Sequence, residues 1–271
     1  ANEEEVGTAI KDAITNKIIT REELFVTSKL WCNCHEPDKV SFAIKKSLTS
    51  LQLDYLDMYL IHWPVAYKFE HISPKDASEM IPLEQLPIIE TWQAMEELAK
   101  QGLAKNIGVS NFSIKKLQDL LNKASIKPSN NQVELHPYLQ QEELLKFCNN
   151  NKILLTAYSP LGSSPRNTNT DSLILLKDEV INEIALKHKA TPAQILIAWA
   201  IARNTAVIPK SINTERIKQN LDAYNINLSQ EDLTNIAKLD KHYRYILGSF
   251  TTLAGSSYTL NNLWDEEVKQ R

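Results

Sequence analysis

The segment Tyr55-Leu56-Asp57-Met58-Tyr59-Leu60-Ile61-His62-Trp63-Pro64 constrains the fold of this chain most: an apolar run of strand length that stops on a histidine, a tryptophan and a proline. A strand covered on both faces reads as a near-continuous apolar run, and Pro64 cannot donate to a sheet ladder, so the strand ends close to His62. A second run, Leu24-Phe25-Val26-Thr27-Ser28-Lys29-Leu30-Trp31, has the same form and delivers Lys29 and Trp31. Two strands thus present a cation, an imidazole and two indoles at their C-terminal ends, where parallel α/β enzymes keep their active sites.

The rest of the chain alternates in the same way. Asn2 to Ile10 reads as a helix already under way, with no preceding cap of its own. Pro37 starts a helix that carries Val40, Ala43, Ile44, Leu48 and Leu51 at helical spacing. Residues 65 to 85 read as a long loop leaving directly from His62 and Trp63. A helix from Ile88 to Leu98, closed by Gly102, leads into a strand at Ala104 to Val109; Ser113 caps the next helix, and Asn131 to Leu135 forms a strand ending at His136-Pro137. Glu142 to Cys148 is helical, Ile153 to Ala157 is a strand, and residues 163 to 171 form a polar loop. Helices follow at Asp178 to Lys189 and, behind Thr191 and Pro192, at Ala193 to Arg203. Thr205 to Ile208 is the last strand, with helices at Thr214 to Tyr224 and, behind a Ser229/Asp232 capping box, to about Leu239. The tail, 241 to 271, carries aromatic residues without a clear period.

Six strand-then-helix units with no antiparallel hairpin signal predict a parallel sheet with right-handed crossovers. No Gly-x-Gly-x-x-Gly follows any strand, which argues against a doubly wound dinucleotide fold and leaves an α/β barrel with its site in the loops after the strands. A (β/α)8 TIM barrel needs eight strands, and the first helix lacks the strand before it, so about the first two strands are expected to be absent from the front. The reading is a single barrel domain over 1–271, with 241–271 as a C-terminal tail at the substrate.

Composition sets the outer limits. With 271 residues, 43% hydrophobic and 23% charged, the chain can bury a large core, and a formal charge of −3 gives no field to attract nucleic acid. No stretch reaches the length of a membrane span, and the acidic start is unlike a secretory signal, so a cytoplasmic protein with no membrane partner is expected. Cys32, Cys34 and Cys148 read as reduced thiols. Cys32-Asn33-Cys34-His35 has no second Cys/His pair at zinc-ligand spacing, so no metal is expected.

The motifs, in order, are Asn2-Glu3-Glu4-Glu5-Val6-Gly7, Thr27-Ser28-Lys29-Leu30-Trp31, Leu60-Ile61-His62-Trp63-Pro64, Gly108-Val109-Ser110-Asn111-Phe112, Asn131-Gln132-Val133-Glu134, Ala157-Tyr158-Ser159-Pro160-Leu161-Gly162 and Ile208-Pro209-Lys210-Ser211. Over essentially its whole length the chain resembles the aldo-keto reductases. Its tail, Gly248-Ser249-Phe250 through Trp264-Asp265-Glu266, is similar to the aldehyde reductase and glycerol dehydrogenase group of yeasts and moulds.

The resemblance implies an NADPH-dependent oxidoreductase that reduces aldehydes and some ketones, reversibly toward small polyols such as glycerol. Of the family's catalytic four, the lysine and the histidine map onto Lys29 and His62. The aspartate and the tyrosine that donates the proton belong just before the Asn2-Glu3 motif, so a truly truncated chain is expected to be inactive. Tyr158 is implied to stack on the nicotinamide, and Ser110, Asn111 and Gln132 to bind its carboxamide. Ser159, Leu161 and Ser163 are implied at the pyrophosphate. Lys210, Ser211, Asn213 and Arg216 are implied at the adenosine 2′-phosphate, with Gln219 and Asn220 at the adenine. Two cations with hydroxyl and amide donors at a helix N-terminus suit a phosphate. Trp31 and Trp63, with tail residues near Tyr243 to Leu253, are implied to wall the substrate pocket beside His62.

Taken singly, Lys29 reads as a surface lysine with a buried stem, His62 as a satisfied core histidine, and the two indoles as core aromatics. The motifs around them favour the functional reading. Trp92 and Trp199 lie on helical stripes and read as core. A monomer is expected, with a small aldehyde, ketone or polyol as its partner. The competing reading is a nucleotide-binding barrel without significant turnover, in a regulatory or structural role.

Overall fold

The structure is a computed structural model that describes residues 2–162 and 174–267. In chain order its helices and strands are α1 (Glu3–Thr15), β1 (Thr27–Leu30), α2 (Pro37–Leu51), β2 (Leu56–Ile61), β3 (Ala66–Tyr67), β4 (Met80–Ile81), α3 (Ile88–Lys100), β5 (Ala104–Ser110), α4 (Ile114–Leu121), β6 (Asn130–Glu134), α5 (Glu142–Asn150), β7 (Leu154–Tyr158), α6 (Glu179–Lys187), α7 (Pro192–Ala202), β8 (Ala206–Val207), α8 (Thr214–Asp222), α9 (Gln230–Ala237) and α10 (Leu260–Trp264). Each of the six predicted strands forms, and helices follow them as the periodicity predicts. The polar loop expected at 163 to 171 lies outside the described residues.

The chain divides into two compact units, Ala1–Asn131 with Gly248–Arg271, and Gln132–Leu247. In the first, β1, β2 and β5 lie side by side in that order, all parallel. Every residue of β2 is buried, which is why it reads as an unbroken apolar run. Its one carboxylate, Asp57, is neutralised by Arg21 at 2.8 Å and accepts a hydrogen bond from the Val26 N–H at 2.9 Å. Lys29 pairs in register with Leu60, so the β1 and β2 exits are neighbours. Gly108 of β5 lies opposite Leu60, and a Cβ there would stand 2.6 Å from the Asn130 carbonyl oxygen. Only a glycine permits that approach. On α2, Val40, Ile44, Leu48 and Leu51 form the buried stripe, and on α3 it is Trp92, Met95 and Leu98. Trp92 is fully buried, as expected, and donates its indole N–H to the Ile126 carbonyl at 2.9 Å.

Three expectations need correction here. Residues 65 to 85 are not a structureless loop, and an antiparallel hairpin does occur: β3 and β4 pair two residues each. Strands this short carry no period to read, and this hairpin depends on a remote side chain. The Tyr258 hydroxyl accepts from the Ala66 N–H at 3.1 Å and donates to the Ile81 carbonyl at 2.9 Å. Next, α1 continues past Ile10 to Thr15, while Asn2 stands at its N-cap position without a side-chain cap bond. Finally, the aperiodic tail holds the short helix α10, whose start is fixed by reciprocal Thr259 and Asn262 hydrogen bonds.

In the second unit β6, β7 and β8 are neighbours in that order, and β7 pairs with β8 in parallel through Thr156 with Ala206 and Ala157 with Val207. The expected caps are present, Thr191 with Pro192 on α7 and the reciprocal Ser229/Asp232 pair on α9, and Asp178, read as the first helical residue, instead caps α6. Ile195 to Ala200 of α7 are all buried, Trp199 among them, which makes this an interior helix. Among the described residues no helix is long and apolar enough to cross a membrane.

Candidate active site

The chemistry of the first unit gathers where β1, β2 and β5 end. Lys29, half-buried near the end of β1, has its ammonium held below the usual lysine range by burial. His62 follows β2. Burial, and then the nearby charge of Lys29, push its imidazole down to about 3, so it is neutral at physiological pH. The exit of β5 is tied to that of β2 by Asn111, whose Nδ2 donates to the His62 carbonyl at 2.9 Å and to the Ser110 hydroxyl at 3.2 Å. Asn111 adopts a left-handed backbone with φ of 64°, a conformation asparagine tolerates better than most residues. Ser110 and Asn111 are both buried.

Aromatic rings stand around His62. Trp31 meets its ring edge-on at 5.0 Å and is anchored by an indole hydrogen bond to the Ile72 carbonyl at 2.7 Å. Trp63 is buried with its ring centroid 6.5 Å from that of His62. From the tail, Phe250 lies parallel to Trp31 at 6.5 Å and edge-on to Trp63 at 5.2 Å. Phe250 falls inside the segment assigned to the substrate wall. Trp264, edge-on to Trp63 at 5.9 Å, was read only as part of the tail's resemblance and given no place in the site, and Asn131, whose amide bonds both backbone groups of Phe112, was likewise given none. Neither residue has a sequence signal of its own; the Asn131-Gln132 string pointed to Gln132.

His35 adds a second buried imidazole. It is 1% exposed, its Nε2 has no hydrogen-bond partner, and burial, followed by the nearness of the His62 imidazole, which would repel a second cation, pushes it down to about 3. Both folded-state values lie below the ordinary histidine value of about 6.5. The neutral rings therefore contribute full stability above about pH 6.5, and that contribution is lost as pH falls toward 3, because the unfolded chain takes up protons first. Urea unfolding at a series of pH values should show stability falling from pH 6.5 to 5, and His35→Leu should flatten that fall. An unchanged slope in the variant would contradict the assignment.

In the second unit, Tyr158 ends β7 half-buried, and burial followed by the Glu134 charge raises its phenol well above the usual tyrosine range. It is a neutral ring at working pH. Gln132 is buried on β6. Beyond Tyr158 the backbone turns sharply: Ser159 has φ of 48°, Gly162 has φ of 75°, and the Gly162 N–H donates to the Ser159 carbonyl at 2.9 Å. This turn lines a cavity of about 370 Å³, with Pro209, Lys210 and Tyr245 on its other walls and Leu161 on the turn itself. Ser163 lies outside the described residues.

Next to Lys210, the Ser211 hydroxyl accepts from the Asn213 N–H at 3.1 Å, and the Asn213 side-chain oxygen caps α8 by accepting from the Arg216 N–H at 3.0 Å. Asn213 thus has a local structural role that the sequence reading did not assign. Arg216 is exposed, and Gln219 and Asn220 lie about one turn further along α8. Ser211, Asn213, Arg216, Gln219 and Asn220 are not part of that cavity's wall; of the residues predicted to meet the cofactor, Ser159, Leu161 and Lys210 share it.

Comparison with known proteins supplies the family. A profile described as "Aldo/keto reductase family" matches residues 1–241. The chain is 51% identical over 268 residues to "Aldo/keto reductase slr0942" of Synechocystis sp., covering 98% of this chain and 82% of that protein. It is 43% identical over 254 residues to aldo-keto reductase family 1 member A1 of Gallus gallus, covering 93% of this chain and 78% of that one. To aldo-keto reductase family 1 member C1 of Pongo abelii it is 45% identical over 250 residues, covering 90% and 77%. These matches lend no support to the expected loss of two leading strands. With a lysine and a neutral histidine at adjacent strand exits, and a profile match across most of its length, the chain belongs to the aldo/keto reductase family, an oxidoreductase family whose fold is the (β/α)8 barrel.

Proposed function

We propose that the protein reduces aldehydes and some ketones to alcohols with NADPH, reversibly toward small polyols of the glycerol type. The observation that carries this reading is the neutral His62 beside Lys29, at the end of a fully buried strand and walled by Trp31, Trp63 and Phe250. NADPH supplies a hydride to the carbonyl carbon. His62, uncharged, donates a hydrogen bond that orients the carbonyl oxygen. Lys29 places a positive charge where negative charge develops, and lowers the pKa of the tyrosine that the family uses as proton donor. The indoles and Phe250 give an apolar wall with one polar corner, which suits a short aldehyde with hydroxyl groups.

The residues of the second unit fit an anionic dinucleotide. The Ser159–Gly162 turn and Lys210 line one cavity, large enough for a phosphate-bearing segment. Arg216 and the start of α8, capped by Asn213, lie just beyond it in sequence and supply a second cation and the positive end of a helix dipole. Tyr158 offers an uncharged ring for stacking, and Gln132 a buried amide for the carboxamide, in this reading. The three thiols are free and buried, in keeping with a cytoplasmic enzyme.

The test combines two measurements on the protein as its gene encodes it: NADPH titration followed by tryptophan fluorescence, and NADPH oxidation with glyceraldehyde. Saturable binding with aldehyde-dependent oxidation supports the proposal. Binding without oxidation would favour a nucleotide-binding barrel with no turnover.

A further inference from the structure

A set of contacts outside the catalytic residues links a partly buried ion pair to the aromatic wall over His62. Asp265, just after α10, accepts from Lys116 Nζ at 2.5 Å and from the Ser113 hydroxyl at 2.5 Å, with Lys115 at 3.6 Å from its other oxygen. Lys116 also donates to the Asn262 carbonyl on α10 at 2.5 Å. Lys116 and Asp265 expose only 18% and 15% of their side chains, so the pair is largely withdrawn from water.

Their environments act on them differently. At Lys116 burial outweighs the ion pair and holds the ammonium below its usual range. At Asp265 burial alone would raise the carboxyl, but the bonds from Lys116 and Ser113 and the two lysine charges hold it below the usual carboxylate range. An ion pair with this little exposure, carrying added hydrogen bonds, contributes more than an exposed pair.

The segment fastened by this pair is the one that shapes the wall. Trp264 packs edge-on against Trp63 at 5.9 Å. Leu263 sits so close to Gly248 that a Cβ there would stand 2.8 Å from Leu263 Cδ2 and 3.0 Å from Trp63 Cζ3. Gly248, with φ of 77°, opens the turn Ser249–Thr251 that carries Phe250, and Phe250 faces Trp31, which meets His62. Phe250 itself is 50% exposed, its ring contacts being those with Trp31 and Trp63. Phe250 thus follows Gly248, Gly248 lies against Leu263 of α10, and α10 is bonded to Lys116 through the Asn262 carbonyl.

We propose that Lys116 and Asp265 form a latch that fixes α10 and thereby holds the Phe250 wall over His62, which makes them positioning residues for the substrate. The proposal rests on the aldehyde-reductase reading above. Lys116→Met and Asp265→Asn should each raise the aldehyde KM about three- to tenfold, with kcat within about twofold and the NADPH Kd unchanged. The double variant should be no worse than the worse single, because either change releases the same latch.

Acrylamide quenching of tryptophan fluorescence gives a readout independent of turnover, since Trp31, Trp63 and Trp264 make up three of the five indoles. Quenching should rise in each variant, and Ser113→Ala, a milder change, should move KM and quenching in the same direction by a smaller factor. Unchanged KM and quenching would overturn the latch. So would an equal loss of NADPH affinity, which would mark general destabilisation, or additive effects in the double variant. If the unmutated protein turns over no aldehyde, the reductase reading fails, and quenching still decides the latch.

Discussion

Replacing Lys29 by methionine should slow aldehyde reduction by about two to four powers of ten while leaving NADPH affinity nearly unchanged, on the scale typical of a lost acid–base partner. Methionine keeps the apolar stem, so the packing of β1 is preserved and the change isolates the charge. In the proposed mechanism that charge favours ionisation of the proton donor and stabilises the carbonyl oxygen as the hydride arrives, both effects felt only as the reaction proceeds. The drop should therefore fall on kcat rather than on cofactor binding. His62 gives an internal check. Burial is the larger cause of its low value and Lys29 the second, so the imidazole should titrate somewhat higher in the variant yet stay below the ordinary histidine value. NMR titration of the ring would show it. A loss of less than tenfold in turnover would remove Lys29 from the mechanism.

Lys210→Met should weaken NADPH by about one to two powers of ten and NADH far less. A charge-assisted hydrogen bond to a phosphate contributes about 1.5–3 kcal/mol, which converts to that range in Kd. Lys210 lines the cavity beside the Ser159–Gly162 turn and directly precedes the Ser211–Asn213 turn that starts α8, so its ammonium can serve the phosphate of an adenosine without disturbing the strand behind it. Its side chain is exposed, so the substitution should cost little stability. Parallel fluorescence titrations with the two cofactors would measure the ratio. Equal losses for both would place the reading of the 2′-phosphate on other residues.

Much of the fold was legible because burial leaves a simple record. β2 reads as an apolar run since all of it is covered, and α2 and α3 read as stripes since one face of each is. Caps were legible for a similar reason: Thr191, Ser229 and Ser113 satisfy helix N–H groups a few residues away, so cause and effect lie together in the sequence. The β3–β4 hairpin was not legible. Two-residue strands have no period, and their pairing is completed by the hydroxyl of Tyr258, 192 residues from Ala66. The candidate site divides along the same line. Lys29, His62, Tyr158 and Lys210 stand at strand ends and were located from sequence, whereas Trp264, Asn131 and the buried His35 gain their importance only from what surrounds them.

By itself the sequence determined the alternation of strands and helices, the end of each strand, and the residue types delivered there, because these follow from local backbone chemistry and from which side chains must avoid water. Tertiary structure alone decided how the delivered groups behave. A histidine becomes a neutral donor when burial and a lysine brought in from the neighbouring strand both disfavour its cation. A half-exposed phenylalanine becomes a wall when Lys116 and Asp265, 149 residues apart, close an ion pair that fixes the helix behind it. Such effects depend on distance and on the removal of water, and neither is written in the order of the residues.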